Sequence, residues 1–138
     1  LRRQRQMCIR DSFNATLGDW ARFGLFISRG GVWETEPLLP DNWVANATTT
    51  TEAHLAHGQV DKNWRKGYGW HWWTFSDRTF QADGSRGQSI FIDPTRELVV
   101  ARASAWPADW VEKYDDQTHA FYEGVIAFVD AKSSGVRE

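Results

Sequence analysis

Between Thr16 and Gly31, apolar or small residues fall at Leu17, Trp20, Phe23, Gly24 and Ile27, the three- and four-residue spacing of one helix face. Thr16 followed by Asp19 has the spacing of a capping box with a shortened acid, and Gly30-Gly31 supplies a stop, so an amphipathic helix is predicted here. Glu34 to Pro40 reads as a loop. Pro40-Asp41-Asn42 then introduces a short helix through Trp43, Val44 and Ala47, and Thr48 to Gly67 has no clear period.

From Tyr68 the period changes. Tyr68 to Phe75 is aromatic and β-prone, ends in the turn-like Ser76-Asp77, and predicts one strand in which Trp70 and Trp72 face away from Trp73. Thr79 to Ala82 can pair back on it. Gly87 to Ile92 and Glu97 to Ala103 give two further strands joined by the turn Asp93-Pro94-Thr95-Arg96. Connections this short force antiparallel pairing, because a parallel crossover needs a dozen or more residues. After Trp106-Pro107, Asp115 to Lys132 sets Phe121, Val125, Phe128 and Val129 on one stripe of a closing helix. The expected fold class is α+β: an antiparallel sheet of three or four strands flanked by N- and C-terminal helices.

A chain of 138 residues with 41% hydrophobic and 25% charged residues sits inside the range of globular domains and outside that of disordered ones. Its formal net charge of -2, with scattered Lys and Arg, gives no electrostatic basis for binding nucleic acid. No apolar run approaches the ~18 residues of a membrane span. One cysteine, Cys8, excludes an internal disulfide framework and leaves the compartment open.

Residues 1–12, LRRQRQMCIRDS, are Arg-rich and differ abruptly in composition from the rest of the chain. They resemble translated adapter sequence at the ends of assembled environmental reads, so they are treated as a non-native leader. Residues 13–138 are the expected domain portion, with the natural protein continuing upstream. His54 and His57 have a spacing that can juxtapose imidazoles, but a structural zinc site needs four ligands and no Cys stands nearby, so no metal is expected. His71, inside the aromatic run, and His119, near a helix start, read as packed or capping residues.

Several words occur in a fixed order. They are Asn14-Ala15-Thr16-Leu17-Gly18-Asp19-Trp20-Ala21-Arg22-Phe23-Gly24, Leu39-Pro40-Asp41-Asn42-Trp43-Val44, Tyr68 to Trp73, Gly84-Ser85-Arg86-Gly87-Gln88 with Ile92-Asp93-Pro94, and Ser104-Ala105-Trp106-Pro107. Together they resemble the C-terminal part of the class C β-lactamase-like (penicillin-binding-protein-like) serine hydrolases. The likeness is strongest to nylon-oligomer (6-aminohexanoate-dimer) hydrolases and runs from Phe13 to about Val129. The resemblance implies a β-lactamase/transpeptidase-like fold and cleavage of an amide or ester through an acyl-serine. That family takes its nucleophile and base from a Ser-x-x-Lys motif and a further Tyr from a later motif. No serine of this chain is followed three residues later by lysine. In the family those motifs precede the first helix read here, so this chain is expected to be a C-terminal fragment, inactive alone, whose partner is the missing N-terminal part of the same protein. The family's Lys-Thr-Gly aligns with Ala82-Asp83-Gly84, keeping only the glycine, which points away from β-lactams and toward another small-molecule amide or ester.

Acyl transfer needs donors aimed at the developing oxyanion. Ser85 is the candidate backbone donor; Gly84 before it lets the backbone approach substrate, and Gly87 relieves the strand end. Arg86 can meet a substrate carboxylate bidentately. By the resemblance, Trp73 matches a pocket Trp, Asp83 stands in the third motif, and Asp109 lies near an acidic substrate-binding position. No cofactor is expected. Nine Trp in one chain leave a second reading open, a non-catalytic aromatic-rich module that binds carbohydrate or peptide.

Overall fold

A computed structural model describes residues 7–9, 13–60 and 66–135, with the backbone alone at 7–9 and 13. The expected leader therefore lies largely outside the described residues; its strand β1 (Met7–Ile9) pairs antiparallel with β2 (Phe13–Ala15). Helix α1 (Leu17–Ser28) starts as the sequence predicts. Thr16 Oγ1 accepts the Asp19 N–H at 3.1 Å and donates to Asp19 Oδ2 at 2.6 Å, while Arg22 pairs with Asp19 Oδ1 at 2.7 Å. These bonds satisfy a backbone donor of the first turn and place negative charge at the helix N-terminus.

A two-stranded ribbon of β3 (Val32–Trp33) and β4 (Glu36–Pro37) leads to the short helix α2 (Trp43–Ala47). The main sheet has five antiparallel strands in sequential order: β5 (Gly67–Tyr68), β6 (Trp73–Thr74), β7 (Phe80–Gly84), β8 (Gln88–Asp93) and β9 (Leu98–Arg102). Helix α3 (Glu112–Gly135) closes the chain. The architecture is α+β, with α1 on one face of the sheet and α3 on the other.

The register divides the sheet cleanly. Phe80, Ala82, Ile90, Ile92, Val99 and Ala101 share one face and, with Trp20, Ile27, Ala47 and Trp72, form the apolar core. Gly24 of α1 touches down on this face: a Cβ there would lie 2.5 Å from Val99 Cγ1 and 3.0 Å from Ile90 Cγ2, so the glycine sets the close helix-to-sheet approach. Full burial of each large apolar side chain contributes about 1.5–3 kcal/mol. The opposite face carries Gln81, Asp83, Ser89, Phe91 and Arg102 and is largely polar under α3.

Two expectations are corrected. The run from Tyr68 to Phe75 is not one strand but two, separated by a tight turn in which Gly69 N–H donates to Trp72 O at 2.8 Å and His71 takes φ 64°. The cause is α2, whose Ala47 carbonyl accepts the Trp70 N–H at 2.8 Å and stands only 2.2 Å from where a Gly69 Cβ would be. An orphan carbonyl at a helix end is satisfied at the cost of the strand. The sheet accordingly has five strands rather than three or four, His71 sits exposed in a turn, and Trp70 and Trp72 do not share a face: Trp72 is in the core and Trp70 is 52% exposed.

The stripe on α3 is also rotated from its predicted position. Phe121 and Phe128 are 53% and 64% exposed, and the residues turned to the sheet are Asp115, Thr118 and Tyr122. The polar sheet face decides this. Tyr122 stacks on Phe91 at 4.4 Å and shares a 2.6 Å hydrogen bond with Ser89, while Arg102 Nη1 donates to Thr118 Oγ1. At the far end, Asp93 Oδ1 accepts the Thr95 and Arg96 N–H groups, and Arg96 bridges the turn to Asp130 of α3 through bonds of 2.8 and 3.0 Å.

Candidate functional site

The sequence-predicted residues gather at the C-terminal end of β7. Gly84 ends the strand, and Ser85–Gly87 form a single tight turn into β8 with Arg86 at φ 59° and Gly87 at φ 79°. Ser85 Oγ donates to Asp109 Oδ1 at 2.6 Å, both side chains being exposed, so the serine hydroxyl anchors the loop after β9 and its backbone N–H belongs to the strand end. The Arg86 carbonyl accepts the Trp106 N–H at 3.1 Å and its side chain is exposed. Gly87 is buried beneath Trp106. Strand β6 pairs with β7 only at Phe80 and Gln81, so among the described residues Ala82–Gly84 pair with β8 alone.

Trp73 and Asp83 lie deeper, around a side chain that sequence reasoning missed. Lys66 is 2% exposed, with Nζ 3.8 Å from Asp83 Oδ2 and 3.7 Å from Asp115 Oδ2, and 5.6 and 5.1 Å from the ring centres of Trp73 and Trp110. An ammonium between two indole faces and two carboxylates is stabilised by both ring quadrupoles and charge. Gln81 Nε2 donates to both Asp83 oxygens at 3.0 and 2.9 Å, and Tyr68 packs edge-on to Trp73. Burial raises the Asp83 carboxyl above the usual range, with Lys66 opposing. Burial likewise pushes Asp115 up to about 6, Lys66 again opposing and Asp83 adding repulsion. His119, whose Nε2 is 3.6 Å from Asp115 Oδ2, is pushed down to about 4 by burial and then by the charges of Lys66 and Arg102. The signal for this cluster was present only as spacing: Asp115, Thr118, His119 and Tyr122 fall at helical intervals, but weighting the phenylalanines hides them.

Of the other histidines, His57 Nε2 lies 3.3 Å from Thr74 Oγ1, and His54 is exposed. Among the described residues no group of three or more His, Cys, Asp or Glu side chains converges on a metal-sized site, and no helix is long and apolar enough to cross a membrane.

The arrangement is that of an α+β domain with a polar strand end and an aromatic wall, a hydrolase-like fold. A solved structure named "Putative 6-aminohexanoate-dimer hydrolase from Bacillus anthracis" matches with a TM-score of 0.64 and 25% identity, over 80% of this chain. The chain spans 28% of the length of that protein. No family model and no curated protein matches the sequence.

Proposed function

We propose that this chain is the C-terminal part of a β-lactamase-like serine hydrolase that cleaves an amide or ester through an acyl-serine intermediate. The nucleophile, in a Ser-x-x-Lys motif, comes from the part of the protein preceding α1. Its oxygen attacks the substrate carbonyl; the leaving amine or alcohol departs with a proton, and water then releases the acid. This chain contributes the Ser85 N–H as one donor to the oxyanion, the edge of Ala82–Gly84 that β6 does not pair, along which substrate aligns, and the Trp73 wall. The observation that carries the reading is the β7 strand end at Gly84-Ser85, in a fold shared with a protein named as a hydrolase. Asp83 acts from within, holding the strand end through Lys66 rather than touching substrate.

The test is to sequence upstream of Phe13 at the source locus and express the extended frame. A Ser-x-x-Lys motif before α1, and a serine there labelled by a fluorophosphonate probe, are expected. Ser85→Pro, which removes the donor, should lower turnover about 10²–10³-fold, whereas Ser85→Ala should retain most of it. A frame without that motif and without labelling would sink the hydrolase reading and leave the aromatic-rich binding module in its place.

A further inference from the structure

At the other end of β7, about 13 Å from Gly84 at ~3.3 Å per strand residue, lies a cavity of about 660 Å³ that the hydrolase reading does not use. Four parts of the fold converge on it: the end of α1, helix α2, the β6–β7 turn and the β8–β9 turn. That volume falls within the range of small-molecule sites. Its floor is apolar, formed by Ile27, Val44, Phe80 and Pro94.

The polar part of the wall has one chemical bias. No Asp or Glu lines it, whereas Arg78, His57 and several hydroxyls do. Arg78 sits in the β6–β7 turn at φ 69°, a backbone setting that costs a non-glycine residue energy, and its side chain makes no ion pair among the described residues. Its neighbour Asp77 is turned away: Asp77 Oδ1 accepts the N–H and hydroxyl of Thr79 at 3.0 and 2.7 Å and lines a separate small cavity against α3. The turn therefore presents its cation to this cavity and its anion elsewhere. Thr48 and Thr49 donate their hydroxyl protons to the Val44 and Ala45 carbonyls, and Thr50, Thr74 and His57 form a chain with contacts of 2.8 and 3.3 Å. Ser28, Ser76 and Thr95 keep hydroxyls with no partner among the described residues, free to donate.

We propose that this cavity binds a small organic anion, its carboxylate or phosphate held by the Arg78 guanidinium with His57 and the free hydroxyls, and its apolar body lying on Ile27, Val44 and Phe80. A guanidinium with convergent hydroxyl donors matches the acceptor-only oxygens of either group. The site is separate from the proposed acyl pocket and does not depend on it.

The test is an amide-resolved NMR titration of the protein expressed from its full natural frame with benzoate, phenyl phosphate and the neutral isostere benzyl alcohol. Saturable shifts centred on Thr50, Ser76, Arg78 and Thr95 are expected with an anion and not with the alcohol. Response to benzoate alone assigns a carboxylate, to phenyl phosphate alone a phosphate, and to both a site for either. Arg78→Asn, which keeps the left-handed turn because Asn tolerates positive φ, should weaken binding about ten-fold or more, as expected for loss of a charged hydrogen bond; His57→Gln should weaken it less. No saturable shift with either anion, equal response to the alcohol, or unchanged binding in Arg78→Asn overturns the proposal, whatever the outcome of the fluorophosphonate labelling.

Discussion

Gly87 lies directly under the indole of Trp106: a Cβ placed on it would stand 2.2 Å from the ring. Together with the Trp106 N–H bond to the Arg86 carbonyl, this contact fixes the segment after β9 onto the turn that carries Ser85. A side chain at 87 would strain the backbone, at φ 79°, and lift the ring. Gly87→Ala is expected to lose about 1–3 kcal/mol of stability, read by urea unfolding, and to expose Trp106 to fluorescence quenchers. A loss under about 0.5 kcal/mol with unchanged quenching would show that the contact does not fix the loop.

Lys66 neutralises the buried Asp115 and the partly buried Asp83, which have no other cation within ion-pair distance among the described residues. Lys66→Met leaves the buried Asp115 without its cation and repelled by Asp83, and should cost about 3–5 kcal/mol at pH 7.5. Asp115, raised to about 6, takes up its proton by pH 5, and removing the opposing Lys66 charge pushes both carboxyls further up, so the loss should shrink there. Urea unfolding at the two pH values decides the point. An equal loss at both would assign the effect to packing of the lysine stem alone.

Asp115 and His119 act on stability with opposite signs. Asp115, raised to about 6, is protonated in the folded state while the unfolded chain ionises, so its contribution is present at low pH and is lost as pH rises toward 6 and above. His119, lowered to about 4, stays neutral when folded while the unfolded chain protonates, so its contribution is present above about 6.5 and is lost as pH falls toward 4. Between about 4 and 6.5 the two slopes offset each other. His119→Gln should uncover a stability that falls as pH rises through this window; Asp115→Asn should uncover one that rises, because the causes of the His119 shift do not include Asp115. Guanidinium unfolding of both variants from pH 4 to 7 checks this, and slopes of the same sign would refute it.

How much of this was legible in the sequence varies with the kind of interaction. The start of α1 was, because Thr16 and Asp19 act within one turn. The β8–β9 turn was too, because Asp93 and Pro94 dictate it locally. Gly84 and Ser85 were singled out through the family resemblance and not by any local period; the fold places them at the end of β7. Lys66 was not, since nothing near it in sequence announces that Asp83 and Asp115, 17 and 49 residues away, share its space. Trp73 was named as a pocket residue on a strand assumed to be continuous, whereas the chain breaks immediately before it at Trp72.

The sequence by itself determined the α+β class, the antiparallel order of the strands, the cap of α1 and the apolar face of β7, β8 and β9, because these follow from local hydrogen bonding and from periods of 2 and 3.6 residues. Only the tertiary structure decided which side of α3 turns inward, where the aromatic strand breaks, and which charges meet beneath Trp73 and Trp110. Those outcomes depend on partners distant in the chain. The Ala47 carbonyl claims the Trp70 N–H, and Ser89 and Arg102 draw Tyr122 and Thr118 inward and leave Phe121 and Phe128 at the surface. An unmet buried polar group costs about as much as a buried aromatic contributes, so the polar pairing and not the hydrophobic count set the rotation of the helix.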